Sequence, residues 1–310
     1  MAWKTPSSPI KYSIQKSSMR ILSIFLLLSC YTSLLSQVDF KRRTALPNKV
    51  NEVSGLSIHS KDSIVMINDS GDTPTLYTLN SKGELLHSQT ISSIRNKDWE
   101  ALASDGKDLF VADFGNNCNC RKDLIIYRLR DNVLIDSIPF ELPDQKNFKP
   151  NKQWMNFDLE ALAYTDETLH LFSKNKVQKG NYYSKHYTID LSAPNKDIIL
   201  QDSIIIPDLV VTGAAFNQAG TECLLIAYNF KRVLGFIPFS TTRLFHVSNI
   251  RSGKVYQGDF KPYRIGPFFL IGQYESVDWI DEKHALIASE RTAFIGPRMK
   301  KIKLRDKKVP

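Results

Sequence analysis

The sequence lacks the signatures of most common catalytic families. There is no GxSxG nucleophile elbow, HExxH zinc helix, P-loop or GxGxxG dinucleotide turn, so those chemistries have no foothold here. Histidine is scarce, with six residues scattered among expected turns and strands without metal-ligand spacing. His170 and His246 fall in β-rich runs and read as packing or surface residues rather than ligands. No apolar run approaches the ~20 residues that cross a bilayer; Ile21–Leu28 has eight. No long helical period appears after residue 36. No Lys/Arg block exceeds three residues, so the basic balance does not by itself argue for nucleic acid.

What is present is a foldable, aromatic-rich chain. Hydrophobic residues make up 42% and charged residues 24%, which excludes global disorder. Aromatics reach 11%, with 17 Phe and 12 Tyr, a bias toward β structure. The formal net charge is +9. Lys4, Lys11, Lys16 and Arg20 precede the apolar run, which leaves +5 for the chain after residue 36.

The first 20 residues contain no acid. A basic start, a short apolar stretch and small residues through Ser36 make residues 1–36 a secretory signal, with Ser36-Gln37 the expected cut. A second cut is open at Leu27-Leu28-Ser29-Cys30, a lipobox-like stretch that would leave a lipid anchor on Cys30. Either way the mature chain is exported to a periplasmic, outer-membrane-associated or secreted location, an oxidising, calcium-containing space. After cleavage at Ser36 three cysteines remain, Cys118, Cys120 and Cys223, so at least one stays free or bridges to another molecule. Cys118-Asn119-Cys120 reads as loop sequence open to redox change, too tight for an easy disulfide.

The rest of the chain repeats itself. Glu52-Val53-Ser54-Gly55-Leu56, Asp98-Trp99-Glu100-Ala101-Leu102, Asp158-Leu159-Glu160-Ala161-Leu162, Val211-Thr212-Gly213-Ala214 and Tyr274-Glu275-Ser276-Val277 are variants of one anchor. Aligned at 52, 100, 160, 213 and 275, the anchors lie 48, 60, 53 and 62 residues apart. A turn and a β-rich run follow each one; in the first four units two more runs follow, the last at 85–91, 133–139, 198–206 and 254–260. Four short strands per unit define a β-propeller blade. The expected fold is therefore all-β, a single propeller over residues 37–310 with five blades preferred and six the alternative. The stretch Phe40–Leu46 would supply the strand missing from the last unit and close the ring, removing the open edge. Trp99, Trp154 and Trp279 are expected to pack between blades, with sugar stacking the alternative.

In such a ring the first strand of every blade lines the central channel. The start of that strand and the end of its hairpin partner meet at one mouth. Glu52 with Asp69, Glu100 with Asp113, Glu160 with Ser173, and Glu275 with Glu290 would converge there, while the fourth blade has lost its acids. Asp98 and Asp158 share the strand face with their glutamates. Seven carboxylates in one funnel cannot all stay ionised unless a cation sits among them or their pKa values rise. Ca²⁺ is the simplest solution, with Glu52, Asp69, Glu100, Asp113, Glu160, Glu275 and Glu290 as its candidate ligands. Basic neighbours are another: Lys174, Arg121 and Arg291 adjoin these positions. The plain alternative is that the acids cap backbone N–H groups and merely hold the ring together.

The combination of Glu52-Val53-Ser54-Gly55-Leu56, Asn68-Asp69-Ser70-Gly71, Asp98-Trp99-Glu100-Ala101-Leu102, and Asp113-Phe114-Gly115-Asn116-Asn117 followed by Arg121 resembles exported bacterial propellers. These are the SdiA-regulated and phytase-like ("esterase-like activity of phytase") families, within the wider calcium-dependent six-bladed group that includes gluconolactonase-type lactonases. The resemblance, strongest over residues 50–130, implies export and a divalent cation at a channel mouth. Two functions follow. The preferred one is a monomeric binding or scaffold module at the cell envelope, with a small anionic ligand or an envelope protein as partner. The alternative is a metal-dependent hydrolase of phosphoesters or lactones, with Glu100 or Glu160 as general base and Arg121 or Arg291 steadying the anion.

Overall fold

In the computed structural model, the described residues are 40, 42–149, 155–176, 181–207, 209–233, 237–265, 272–292 and 295–304. The expected signal, the Cys30 anchor site, Trp154 and the last six residues lie outside them. The anchors become strands as their composition dictates: small or apolar residues alternate with polar ones and end in Asp/Gly or Asn/Gly turns. Gly71, Gly106 and Gly220 take positive φ in three of these turns.

Twenty strands form five four-stranded antiparallel sheets. The first blade holds β2 (Val53–Ser60), β3 (Ser63–Asn68), β4 (Thr75–Leu79) and β5 (Leu85–Thr90). The second holds β6 (Trp99–Ser104), β7 (Asp108–Asp113), β8 (Leu124–Arg130) and β9 (Val133–Phe140). The third runs through β10 (Met155–Thr165), β11 (Thr168–Lys176), β12 (Asn181–Asp190) and β13 (Ile198–Pro207). The fourth comprises β14 (Val210–Phe216), β15 (Cys223–Val233), β16 (Ile237–Ser248) and β17 (Asp259–Arg264). The fifth takes β18 (Tyr274–Asp281), β19 (His284–Ser289) and β20 (Arg298–Lys303), then β1 (Arg43–Ala45) from the other end of the chain. Arg43, Thr44 and Ala45 pair with Lys300, Met299 and Arg298, so the ring closes through the amino-terminal strand as the sequence led us to expect. No helix among the described residues is long and apolar enough to cross a membrane.

The inner strands pack in a cycle: β2 on β6, β6 on β10, β10 on β14, β14 on β18 and β18 back on β2. Apolar side chains fill the spaces between blades. Trp99 is fully buried among Val65, Ile67 and Leu76 of the first blade and Val111 of its own, with its Nε1 donating to the Arg95 carbonyl at 2.9 Å. Full burial of one such side chain contributes about 3 kcal/mol.

Two expectations need correction. The outer strand of the fourth blade begins at Asp259, not at Lys254. Val255 and Tyr256 sit in a 3-10 turn before it, buried between blades, where Tyr256 meets the Phe172 ring and its amide donates to Asp202 at 3.0 Å. Cys118 and Cys120 are joined by a disulfide. Asn119 between them takes φ 52°, a left-handed conformation that Asn tolerates, and this turn brings the two Cα atoms to 5.2 Å. Cys223 is buried and free.

Candidate functional site

Each inner strand carries a register shift at the same place. It falls between Val53 and Gly55, Trp99 and Ala101, Leu159 and Ala161, Val211 and Gly213, and Tyr274 and Ser276. The bulged residues are therefore Ser54, Glu100, Glu160, Thr212 and Glu275. A bulge adds one residue against its partner strand and re-aims the side chain it carries. The residue that follows is always small: Gly55, Ala101, Ala161, Gly213 or Ser276. Close approach of the next blade explains this. A Cβ on Gly55 would lie 2.7 Å from the Leu102 amide nitrogen, and one on Gly213 2.6 Å from the Glu275 carbonyl.

The bulge corrects the alignment read from the sequence. The equivalent of Glu100, Glu160 and Glu275 in the first blade is Ser54 rather than Glu52, and in the fourth it is Thr212 rather than Gly213. Ser54 and Thr212 use their hydroxyls to bridge blades, donating to the Trp99 carbonyl at 2.9 Å and the Tyr274 carbonyl at 3.1 Å. Glu52 moves to the outer rim, two positions before the bulge with Asp98 and Asp158, and is exposed. Asp113 drops one step down its strand, opposite Trp99. The positions above it in the five blades hold Asp69, Phe114, Lys174, Tyr228 and Glu290.

Some acids hold the ring together. Asp113 accepts from the Lys97 and Asp98 amides at 3.1 Å each and from Arg121 Nη2 at 2.9 Å. Asp158 accepts from the Asn116 amide of the preceding blade at 2.8 Å. Arg121 is buried and also donates to the Gly115 carbonyl at 2.8 Å and to Asp123 at 3.2 Å. Arg291 is exposed and donates to Asn48 Oδ1 at 2.9 Å.

The remaining acids face one another. Carboxylate oxygens of Asp69, Asp98 and Glu100 lie within 4.8 Å of each other. Gly115 admits them, since a Cβ there would stand 2.5 Å from both Asp98 Oδ2 and Glu100 Oε1. The Lys174 ammonium of the third blade lies 2.7 Å from Glu160 Oε1, and its charge also reaches Asp69 and Glu100. Glu275 accepts from the Tyr228 hydroxyl at 3.1 Å. Sequence reasoning missed Tyr228, which no other blade repeats, and left Asp98 outside the ligand set although Asp158 recurs at its position.

Electrostatics tie these groups into one unit. Burial, then the negative charges of Glu160 and Asp69, push Glu100 well above the usual carboxylate range. Burial raises Glu160 in the same way, with Lys174 pulling against it. Burial and Glu290 hold Glu275 at about 8, and burial and Asp69 hold Glu290 at about 7. Burial raises Asp69, and burial with the Asp69 charge raises Asp98. Lys174 goes the other way: burial would lower its pKa, but Glu160 and the surrounding anionic groups raise it well above the lysine range. Among the described residues the mouth thus carries two buried cations, Lys174 and Arg121, and an excess of acid.

The trio fits a hard divalent cation. Oxygens on opposite sides of one Ca²⁺ stand at most about 5 Å apart, given metal–oxygen distances of roughly 2.3–2.6 Å. Asp69, Asp98 and Glu100 meet that spacing and come from two adjacent blades. Bound there, a cation would add to the partial charge neutralisation that Lys174 gives Asp69 and Glu100.

The other end of the channel differs. Below a waist near Gly55, Leu162 and Gly213 it opens into a cavity of about 650 Å³ lined by Leu56, Asp105, Tyr164, Phe216, Asp278 and Trp279 among others. Asp278 accepts from the Ile58 amide at 2.7 Å, linking the last blade to the first, and burial lifts it to about 6. Trp279 donates to the Ala215 carbonyl at 3.1 Å and so spans the fourth and fifth blades. Between the third and fourth blades His170, His186 and Asp202 form a hydrogen-bonded chain with links of 2.9 and 2.8 Å. Burial lowers the pKa of both imidazoles, His170 to about 3, with Asp202 pulling the other way at His186. His246 bonds Glu222 at 2.9 Å.

No family model matches the chain, and no curated protein matches it. Solved structures similar to it are distant. A glucose dehydrogenase is 8% identical, with 86% of this chain and 100% of that chain covered at a TM-score of 0.44. The tail fiber of Staphylococcus aureus phage P68 is 10% identical, covering 90% and 55% at 0.46. Pseudomonas brassicacearum lignostilbene dioxygenase is 11% identical, covering 76% and 52% at 0.39. The class of the protein, a five-bladed β-propeller, rests on its own strand order and closed inner ring.

Proposed function

We propose that this chain is an exported cell-envelope β-propeller that acts as a binding or scaffold module, with Ca²⁺ held at the acidic mouth by Asp69, Asp98 and Glu100. The convergence of those three carboxylates at one-ion spacing carries the proposal. Export rests on the basic and apolar pattern of residues 1–36. Kinship with the SdiA-regulated and phytase-like proteins belongs to the same proposal and rests on the motifs at 52–56, 68–71, 98–102 and 113–121.

The binding reading is preferred over the hydrolase because two of the groups a hydrolase would need are engaged elsewhere. Arg121 is buried and bonded to Asp113, Gly115 and Asp123. Glu160 is paired with Lys174. The test is a melting curve with and without Ca²⁺, run beside turnover assays on generic phosphoester and lactone substrates. A Ca²⁺-dependent rise in melting temperature without turnover supports the binding module. Turnover lost in Glu100→Gln and Glu160→Gln would replace it with the enzyme.

A further inference from the structure

A groove of about 500 Å³ lies along one face of the first blade, within the roughly 300–1,000 Å³ of small-molecule pockets. Part of its lining is the outer strand pair, where Thr75 faces Thr90 and Tyr77 faces Ser88 across β4 and β5. The pleat puts these four on one side. Leu76, between them on β4, points the other way, into the core shared with the second blade. The bend after β3 adds Asp72 and Thr73, and the segment leading into the blade adds Lys49 and Glu52.

Asn68, the last residue of β3, ties these parts together. It is 3% exposed and lines the groove. Its Nδ2 donates to the Lys49 carbonyl and to Asp72 Oδ2, both at 2.8 Å. Both partners belong to groove-lining residues, so the carboxamide sits in the groove wall. Both partners also only accept, so the amide cannot be turned over to exchange its oxygen and nitrogen. Asn68 Oδ1 is left buried with no hydrogen-bond partner among the described residues. Such acceptors are uncommon in folded proteins, because a buried oxygen without a donor forfeits the hydrogen bonds it made in water.

The chemistry that would complete this atom follows from its neighbours. Oδ1 can only accept, so its partner must be a donor. The Asp72 carboxylate is already served by three donors: Asn68 Nδ2, the Tyr77 hydroxyl at 2.7 Å and the Thr73 amide at 2.8 Å. It therefore offers little to an incoming cation. Thr75 Oγ1 lies 2.9 Å from both Thr73 Oγ1 and Thr90 Oγ1. Two protons satisfy those two contacts, so the three hydroxyls keep one proton and spare lone pairs. Ser88 adds a fourth hydroxyl. Neutral donors and acceptors side by side match the vicinal hydroxyls of a polyol, each of which gives one hydrogen bond and takes others.

We infer that this groove binds a neutral sugar, one hydroxyl of which donates to Asn68 Oδ1 while its neighbours exchange hydrogen bonds with the hydroxyls of Thr75, Thr90 and Ser88. Asp72 and the Lys49 carbonyl are positioning groups, which hold the carboxamide so that it presents oxygen rather than nitrogen. The inference is independent of the acidic mouth and of Ca²⁺.

The probes are the methyl glycosides of glucose, galactose and mannose, added to the purified protein in the presence of a chelator. Binding is followed by NMR at the Asn68 side-chain amide, assigned by its loss in Asn68→Leu, and affinities are measured by calorimetry. Ca²⁺ alone and ethylamine form a cation arm. The variants are Asn68→Leu, Thr90→Val at an exposed position and, as a control, Ser137→Ala on the exposed outer strand of the second blade. At least one glycoside is expected to bind one to one and to shift the Asn68 signal. Its affinity should fall about tenfold in Asn68→Leu, fall less in Thr90→Val, and stay unchanged in Ser137→Ala. Should Asn68→Leu fail to fold, Thr90→Val and Ser88→Ala carry the same comparison, and the Asn68 signal is assigned in the native protein by triple-resonance spectra. No binding of any glycoside, equal affinity in the groove variants, an equal loss in Ser137→Ala, or an Asn68 shift with Ca²⁺ or ethylamine and none with the sugars would each overturn the inference.

Discussion

Lys174 and Glu160 form an ion pair of 2.7 Å inside the acidic mouth, the ammonium on one strand of the third blade and the carboxylate on the bulge of the strand beside it. The Lys174 charge also reaches Asp69 and Glu100, where burial and mutual repulsion are only partly offset.

Removing Lys174 leaves Glu160 buried and unpaired. Lys174→Met should lower stability by about 3–5 kcal/mol, the range for breaking a buried pair. Glu160→Gln added to it should restore part of that loss, because the remaining group is then neutral. Urea denaturation of the two single variants and the double variant measures the coupling. Simple additivity would contradict the pairing.

The pH dependence has a definite sign. Glu275 and Glu290 are held at about 8 and about 7 against an ordinary 4.5, so the folded protein binds protons that the unfolded chain releases. As far as these groups decide it, stability is therefore greatest at and below about pH 4.5 and falls as the pH rises toward 8. Glu275→Gln should flatten that decline. Melting temperatures across pH 5–8, in the presence of a chelator, read it directly.

Tight blade packing predicts which small residues are indispensable. Gly213→Val would drive a side chain into the Glu275 carbonyl of the next blade, and should cost about 3 kcal/mol or more. Gly106→Ala meets no atom within 4 Å but sits at φ +88°, so its cost, about 1 kcal/mol, is conformational. Denaturant midpoints of the two variants should rank in that order.

Five blades were legible because the anchors repeat, and ring closure followed from a missing strand and a spare one. The phase of the anchors was not legible. A bulge changes the count between strands without any residue type of its own, so Glu52 was aligned with Glu100 when Ser54 is its true equivalent. Tyr228 stayed hidden because it occurs in one blade; Asp98, repeated as Asp158, was read only as sharing the strand face of its glutamate.

The Cys118–Cys120 bridge spans one intervening residue, so it removes little entropy from the unfolded chain. Reduction should shift the melting temperature by only a degree or two. Asn116 supports the same loop more strongly: its Oδ1 accepts from the Cys120 and Arg121 amides at 2.9 Å each. Asn116→Ala should cost about 1–3 kcal/mol. Differential scanning calorimetry with and without reductant compares the two.

Calcium titration of the purified protein by calorimetry bears most directly on the acidic mouth. One ion per chain is expected, with binding abolished in Asp98→Asn and Asp69→Asn, kept in Glu52→Gln, and strengthened between pH 6 and pH 8 as the carboxyl groups give up their protons. Absence of binding at any of these pH values, or binding that survives in Asp98→Asn and Asp69→Asn, would contradict the site.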